Sequence, residues 1–247
     1  MSLIKSPTDI ALLRIAGKKL GAILRLGEAE AKAGMTLLEL DTLLHARITA
    51  EGCKPSFLGY DGFPNAACLS VNAQVVHGIP SDYALKEGDI LGIDLGLWYE
   101  GVCVDAARTV AIGTIGKEAS DLLAHTQEAL AAGIKAVKPF RRVGAISAAV
   151  QERAEHYGHG IVRSLTGHGV GHKIHEDPEI PNYGHSSDGI LLRPGMVLAI
   201  EPMLTTGGGE VLTEDDGWTV TTADGSLSAQ FEHTVLVTQR GHEILTA

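Results

Sequence analysis

The strongest constraint on this chain is that it says nearly the same thing twice. Residues 85–94 read LKEGDILGID and residues 192–201 read LRPGMVLAIE. Four positions are identical and four more are close exchanges (Lys/Arg, Ile/Val, Gly/Ala, Asp/Glu). Each copy ends on an acid inside an apolar run, Asp94 in the first and Glu201 in the second. A fold that contains this chain must therefore house one strand twice and tolerate a carboxylate at the end of each.

The surroundings of the two copies repeat as well. Ser6-Pro7-Thr8-Asp9 reads as a helix start, with a cap, a first-turn proline and an acid at the positive end. Leu12, Leu13, Ala16, Leu20, Ile23 and Leu24 then recur at helical spacing. Thr36-Leu37-Leu38-Glu39 reads as a capping box opening a second helix to about Glu51, stopped at Gly52. Strands are predicted over 66–71, 90–97 and 102–112. The order recurs with helices over 117–137 and 143–157, then strands over 160–165, 197–204, 218–222 and 229–237. A histidine–glycine step precedes each repeat strand, His77-Gly78 and His168-Gly169. No linker composition separates the halves. The expectation is one α+β domain over 1–247, with related halves of about 1–115 and 116–247 and the strands pooled in the middle.

Side chains alternate along a strand. Asp94 shares its face with Ile90, Gly92 and Gly96, and Glu201 shares its face with Val197 and Ala199, so each acid lies on the side with smaller neighbours. If Tyr99 and Glu100 form a hairpin tip, Asp94 faces Asp105, Gly92 faces Ala107 and Gly96 faces Cys103. Opposed Cβ atoms lie about 4.5–5.5 Å apart in such pairs. Two carboxylates at that range need a shared proton or an intervening cation. Glu232, on the 229–237 strand, adds a fourth acid, and His168 adds an imidazole between Gly167 and Gly169, which let a ligand approach the backbone. The set suits Mn, Fe, Co or Zn. Two ions about 3.5–4 Å apart would balance four acids better than one. The structural alternative is that Arg108 and Arg193 neutralise these acids as ordinary ion pairs.

Bulk properties narrow the function. The net charge of −10 opposes broad nucleic-acid or anionic-membrane binding. A local basic group at Lys135, Lys138, Arg141 and Arg142 reads as a solvated surface cluster rather than an RNA contact. No apolar run of about 18 residues is present, so no membrane span is expected. The N-terminus lacks the pattern of a signal peptide. Three cysteines, at 53, 68 and 103, form no CxxC pair and point to a reducing, cytoplasmic setting.

The series Asp94, Asp105, His168, Glu201, Glu232 resembles the five-ligand metal set of the pita-bread metallopeptidases. The stretches GYDGFP (59–64), VVHGIP (75–80), GHGVGHKIHEDP (167–178), GMVLAIEPM (195–203) and WTVTTADGSLSAQFEHT (218–234) resemble type I methionine aminopeptidases, in that family's order and over nearly the whole chain. The resemblance implies a curved antiparallel sheet with paired outer helices and a pseudo-twofold axis through the metal site. The repeated strands would each deliver a ligand. It implies two divalent ions, with Asp94 and His168 at their outer sides and Asp105 and Glu232 bridging. Glu201 would be ligand and proton shuttle. A bridging water would attack the carbonyl of the first residue, and one metal would hold the substrate's α-amine. His175 would meet the developing oxyanion and His77 the scissile amide nitrogen. Tyr60, Phe63, Cys68 and Trp218, with Phe57 and Ile174 nearby, would line a methionine pocket. The activity implied is removal of the N-terminal methionine from nascent polypeptides, with a small second residue favoured. The enzyme would be a cytoplasmic monomer without stable nucleic-acid or membrane binding, and transient ribosome contact is left open. One departure is Val104, where many family members carry glycine before the second aspartate. Val104 should point away from Asp105's face.

Three other readings compete. Xaa-Pro peptidases share the metal set but commonly carry an extra N-terminal domain, for which the residues before His77 leave little room. A binding protein on the same fold would have broken ligands, and all five are present. A nucleotide site at Gly167-His168-Gly169-Val170-Gly171 lacks the GxGxxG spacing and a following Lys-Ser/Thr.

Overall fold

The computed structural model describes residues 3–247. Both helix starts are built as the capping residues dictate. In α1 (Pro7–Glu30) the Ser6 side chain accepts from the Asp9 amide while Asp9 accepts from the Ser6 amide. In α2 (Leu37–Ala50) Thr36 and Glu39 make the same reciprocal pair. Each such cap contributes about 1 kcal/mol by satisfying amides that have no partner within the helix. The second half repeats the helix pair, but not its side-chain caps, with α3 (Lys117–Ala136) and α4 (Gly144–Tyr157).

The apolar stripes of the helices cover two sheets. In the first half, Ile90–Tyr99 pairs with Val102–Ala111 on one side and with Cys68–Val71 and Lys54–Pro55 on the other, all antiparallel. In the second, the order is His242–Ile244, His233–Val237, Val197–Ile200, Thr166–Gly169, Glu176–Pro181. Each half owns a core. Leu20, Leu24, Leu40 and Leu44 pack on Leu91 and Ile93 in the first. Leu122, Ile134, Ile146 and Val150 pack on Leu198 and Ile200 in the second. The halves are stitched at Val102–Ala111 and His233–Val237. The Thr234 hydroxyl accepts from the Asp105 amide and donates to the Asp105 carbonyl, and the Glu232 amide donates to Ala107 O. Among the described residues no helix is long and apolar enough to cross a membrane.

The internal twofold is visible bond by bond. The Gly34 amide donates to Leu85 O and the Leu85 amide to Met35 O. In the other half the Phe140 amide donates to Leu192 O and the Leu192 amide to Arg141 O. The bridge Thr36–Ala84 matches Arg142–Leu191. Leu85 and Leu192 are the first residues of the two repeats, so each repeat is pinned to the loop that joins its helix pair.

Two expectations are corrected. The hairpin tip is Glu100-Gly101, with φ of 47° and 85°, not Tyr99-Glu100. Two positive φ values give the turn whose twist matches the strands, and Gly101 supplies one at no steric cost. The register therefore moves by two residues. Asp94 faces Ala107, and Asp105 faces Gly96. A slip of two keeps every side chain on its face, so the two aspartates still share a face but lie diagonally. The strands expected over 197–204 and 229–237 are each interrupted, the first between Ile200 and Met203 and the second between Gln230 and His233. The interruptions fall on Glu201-Pro202 and Phe231-Glu232. Pro202 has no amide to give to a ladder.

The twofold also exposes a cost. Gly34 sits at φ 90°, where glycine is unstrained, but its counterpart Phe140 sits at φ 67°. A side chain in the left-handed region costs roughly 1–2 kcal/mol, against about 0.5–1 kcal/mol of extra chain entropy for glycine. Phe140→Gly should therefore raise Tm by a few degrees, measured by differential scanning calorimetry. A lowered Tm would show that the phenyl ring stabilises the fold.

Candidate metal and substrate site

The carboxylates converge where the halves meet. Asp94 comes from the middle of Ile90–Tyr99 and Asp105 from its hairpin partner. Glu201 and Glu232 come from the two breaks described above. His168 lies in Thr166–Gly169, opposite Ala199. Ligand atoms of Asp105, His168 and Glu232 all lie within 4.8 Å of one another. His168 Nε2 is 3.5 Å from Glu201 Oε1. All four acids are buried.

Among the described residues, none of them has a lysine or arginine as partner. Arg108 points away to Glu28, at 3.1 Å, and Arg193 lies on the exposed surface, so the ion-pair alternative fails. Asp94 Oδ1, Asp105 Oδ1 and Glu232 Oε1 are buried with no hydrogen-bond partner among the described residues. Burial pushes the Asp94 carboxyl up to about 7. Burial, then the neighbouring carboxylates, hold Asp105, Glu201 and Glu232 well above the usual range. His168 is driven the other way, to about 4, by burial and then by His175. Its Nδ1 lies 2.9 Å from Gly169 O. A carbonyl only accepts, so Nδ1 carries the proton and Nε2 presents a lone pair toward the acids.

The glycines beside His168 serve a purpose other than the one expected. A Cβ on Gly167 would lie 2.4 Å from Ala199 O, and one on Gly169 would lie 2.1 Å from Asp177 O. They admit the neighbouring strands, not a ligand.

Above the acids lies a cavity of about 630 Å³. Phe57, Tyr60, Phe63, Cys68, His77 and Trp218 form its walls, with His168, His175 and all four acids at its floor. Phe63 packs edge-on to Trp218 at 5.2 Å between centroids, and Trp218 edge-on to His77 at 6.3 Å. His175 sits edge-on to His168 at 4.4 Å, and its Nδ1 is 3.0 Å from the Tyr60 hydroxyl. Ile174 does not reach the cavity. It is buried in the first-half core while its neighbour His175 faces the site. Val104 is likewise packed in that core, on the far side from Asp105.

Other residues of the site were not anticipated. Gln230 Nε2 donates to Glu201 Oε2 at 3.0 Å, and Asn182 Nδ2 to Glu201 O at 3.0 Å. Met203 lines the cavity two residues past Glu201. Lys5, from before α1, forms a buried ion pair with Glu176. Glu176 in turn accepts from the amides of His172 and Lys173, closing the loop that ends at His175. Gln230 and Met203 lay inside the motif stretches and could have been picked out there. Glu176 lies inside a motif stretch too, but its partner Lys5, 171 positions away, has no local signal.

The model of metallopeptidase family M24 matches residues 11–239. The chain belongs to metallopeptidase family M24. A methionine aminopeptidase of Clostridium perfringens is 47% identical over all of this chain and 99% of its own. The crystal structure of methionine aminopeptidase from Rickettsia prowazekii superposes with a TM-score of 0.97, at 40% identity and 99% coverage of both chains. The prolidase from Pyrococcus furiosus, at 25% identity, superposes with a TM-score of 0.82, and this chain spans only 65% of it. The M24 fold is thus the pita-bread arrangement, and the likeness to the methionine aminopeptidase spans both chains, whereas that to the prolidase spans 99% of this chain but leaves about a third of the prolidase unmatched.

M24 membership implies a divalent metal, and the residues fit one. Three orphaned carboxylate oxygens and one imidazole lone pair converge in a buried space without a compensating cation. The sign of the pH effect follows. A carboxyl raised in the fold stabilises the metal-free protein at low pH, and that contribution is lost as pH rises from about 4 through about 7, the Asp94 value. A divalent ion removes the penalty and competes better once protons have left. The Tm increase on adding Mn(II) to metal-free protein should therefore be larger at pH 7.5 than at pH 5.0. An equal shift at both would contradict this account of the site.

Proposed function

We propose that this M24 enzyme removes the N-terminal methionine of nascent polypeptides by hydrolysing the first peptide bond, favouring a small second residue. The observation that carries the reading is the combination at one site. Acids without a lysine or arginine partner and a neutral histidine form the floor, and an aromatic and sulfur wall stands above them. Soft sulfur contacts with ring edges suit a thioether side chain. The Cys68 thiol is held neutral by burial and then by Asp94. Phe57, Tyr60, Phe63, Cys68 and Trp218 would embrace the methionine side chain, with Met203 beside them.

Asp94, Asp105, His168, Glu201 and Glu232 would hold two divalent ions, drawn from Co, Mn, Fe or Zn. When bound, such ions polarise a carbonyl and lower the pKa of water. The protein's own groups do the rest. Glu201 Oε2 is fixed by Gln230, which leaves Oε1 to take a proton and return it to the leaving amine. The Tyr60 hydroxyl, 3.0 Å from His175 Nδ1, would donate to it, which would keep the proton of His175 on Nε2 to meet an oxyanion. Burial, then His175, keeps His77 below the usual histidine range, so it enters neutral and able to hydrogen-bond the scissile nitrogen.

We take residues 1–247 as one catalytic domain acting as a monomer in the cytoplasm. The three buried, unpaired cysteines are consistent with a reducing compartment.

A release assay on Met-Ala and Ala-Pro peptides tests the reading. Free methionine should be released and Ala-Pro left uncut, whereas the reverse selectivity would transfer the chain to the Xaa-Pro class. Glu201→Ala and Asp105→Asn should each cut kcat/KM by roughly 10³-fold or more. Trp218→Ala should mainly raise KM for methionine peptides. Full turnover in the Asp105 variant would remove it from the metal set.

A further inference from the structure

The twofold comparison isolates a surface that the fold does not require. Phe140 is 70% exposed, and Ile190 and Leu191 are each 42% exposed. The exposed Lys138 and Arg141 flank Phe140 in the chain, and the exposed Arg193 lies two residues past Leu191. The three apolar residues occupy two loops pinned side by side through Phe140 N to Leu192 O and the Arg142–Leu191 bridge. The same two loops exist in the first half with the same hydrogen bonds, but there Gly34, Met35, Thr36 and Ala84 stand where the second half has Phe140, Arg141, Arg142 and Leu191. The backbone needs are identical and the chemistry is not. Phe140 is, moreover, the one bulky apolar side chain at positive φ among the described residues. Burial does not compensate that strain, because the ring is out in solvent.

We propose that this face is a docking surface for an anionic lipid bilayer. The cations would meet headgroup phosphates while Phe140, Ile190 and Leu191 enter the boundary with the acyl chains. A nucleic acid would use the cations and stack on Phe140, but would leave the two aliphatic side chains without a partner. The net charge of −10 does not forbid the contact. Charges elsewhere on the molecule are screened beyond about 8 Å at physiological ionic strength, so the local patch governs approach. The surface lies apart from the cavity of the peptidase site, none of whose lining residues it includes.

Vesicle co-sedimentation of the full chain tests this. Phosphatidylcholine vesicles with phosphatidylglycerol should retain the protein, pure phosphatidylcholine vesicles should not, and raised salt should release it. Lys138→Gln and Arg141→Gln should each weaken retention about fivefold, the worth of one cation at such a surface. Phe140→Gly, with the left-handed backbone preserved, should weaken it by roughly as much or more. All three variants should keep wild-type peptidase activity, which shows that they are folded. Equal sedimentation with both vesicle types, or variants that sediment like wild type, would overturn the proposal. Binding of a single-stranded RNA oligonucleotide that is lost in the same variants, with no vesicle binding, would overturn it in favour of a nucleic-acid surface.

Discussion

Four carboxylates buried together without a cationic side chain are the constraint on which the rest of this structure turns. Isolated ionised acids are expensive to bury, and close pairs are worse. No arginine or lysine is spent on neutralising Asp94, Asp105, Glu201 or Glu232, although a buried lysine, Lys5, is spent on Glu176 a few residues from the site. The groups that do touch them are polar and uncharged. Gln230 holds one oxygen of Glu201, and the hydroxyl of Thr234 ties down the backbone of Asp105. These contacts orient the acids without satisfying them. The remaining lone pairs are left for divalent cations.

The duplicated architecture explains how such a costly cluster is held. Each half carries its own apolar core under its own helix pair, so stability is generated away from the site. The repeat strands run from loops pinned at Leu85 and Leu192 to acids at their far ends. Where the halves join, Thr234 and Glu232 bond directly to the strand that bears Asp105. Asp94 and Asp105 are thus placed within strands, and Glu201 and Glu232 in two-residue breaks held by strands on either side, which suits a site whose partners must stay close despite repulsion.

Much of this was legible in the residues. The capping boxes at Ser6 and Thr36, the repeated strand and the alternation that put both acids on the small-residue face all follow from local chemistry. What was not legible depends on contacts between distant segments. The hairpin register turned on which residues could adopt positive φ, and Gly101 rather than Tyr99 decided it. The strand breaks at Glu201 and Glu232 depend on Pro202 and on the junction between sheets. Gly167 and Gly169 look like room for a ligand in one dimension, and in three they are room for the neighbouring strands. Ile174 shares a motif with His175, yet the chain turns it into the core. The strain at Phe140 shows only when the second half is laid against Gly34 in the first.

The most direct measurement of the central claim is anomalous diffraction from a crystal of the protein grown with Mn(II). The account predicts strong anomalous density between Asp105, Glu232 and His168, with ligand oxygens and His168 Nε2 at roughly 2.0–2.3 Å from it. Density found only at the surface, with the four acids turned toward one another and sharing protons, would contradict it.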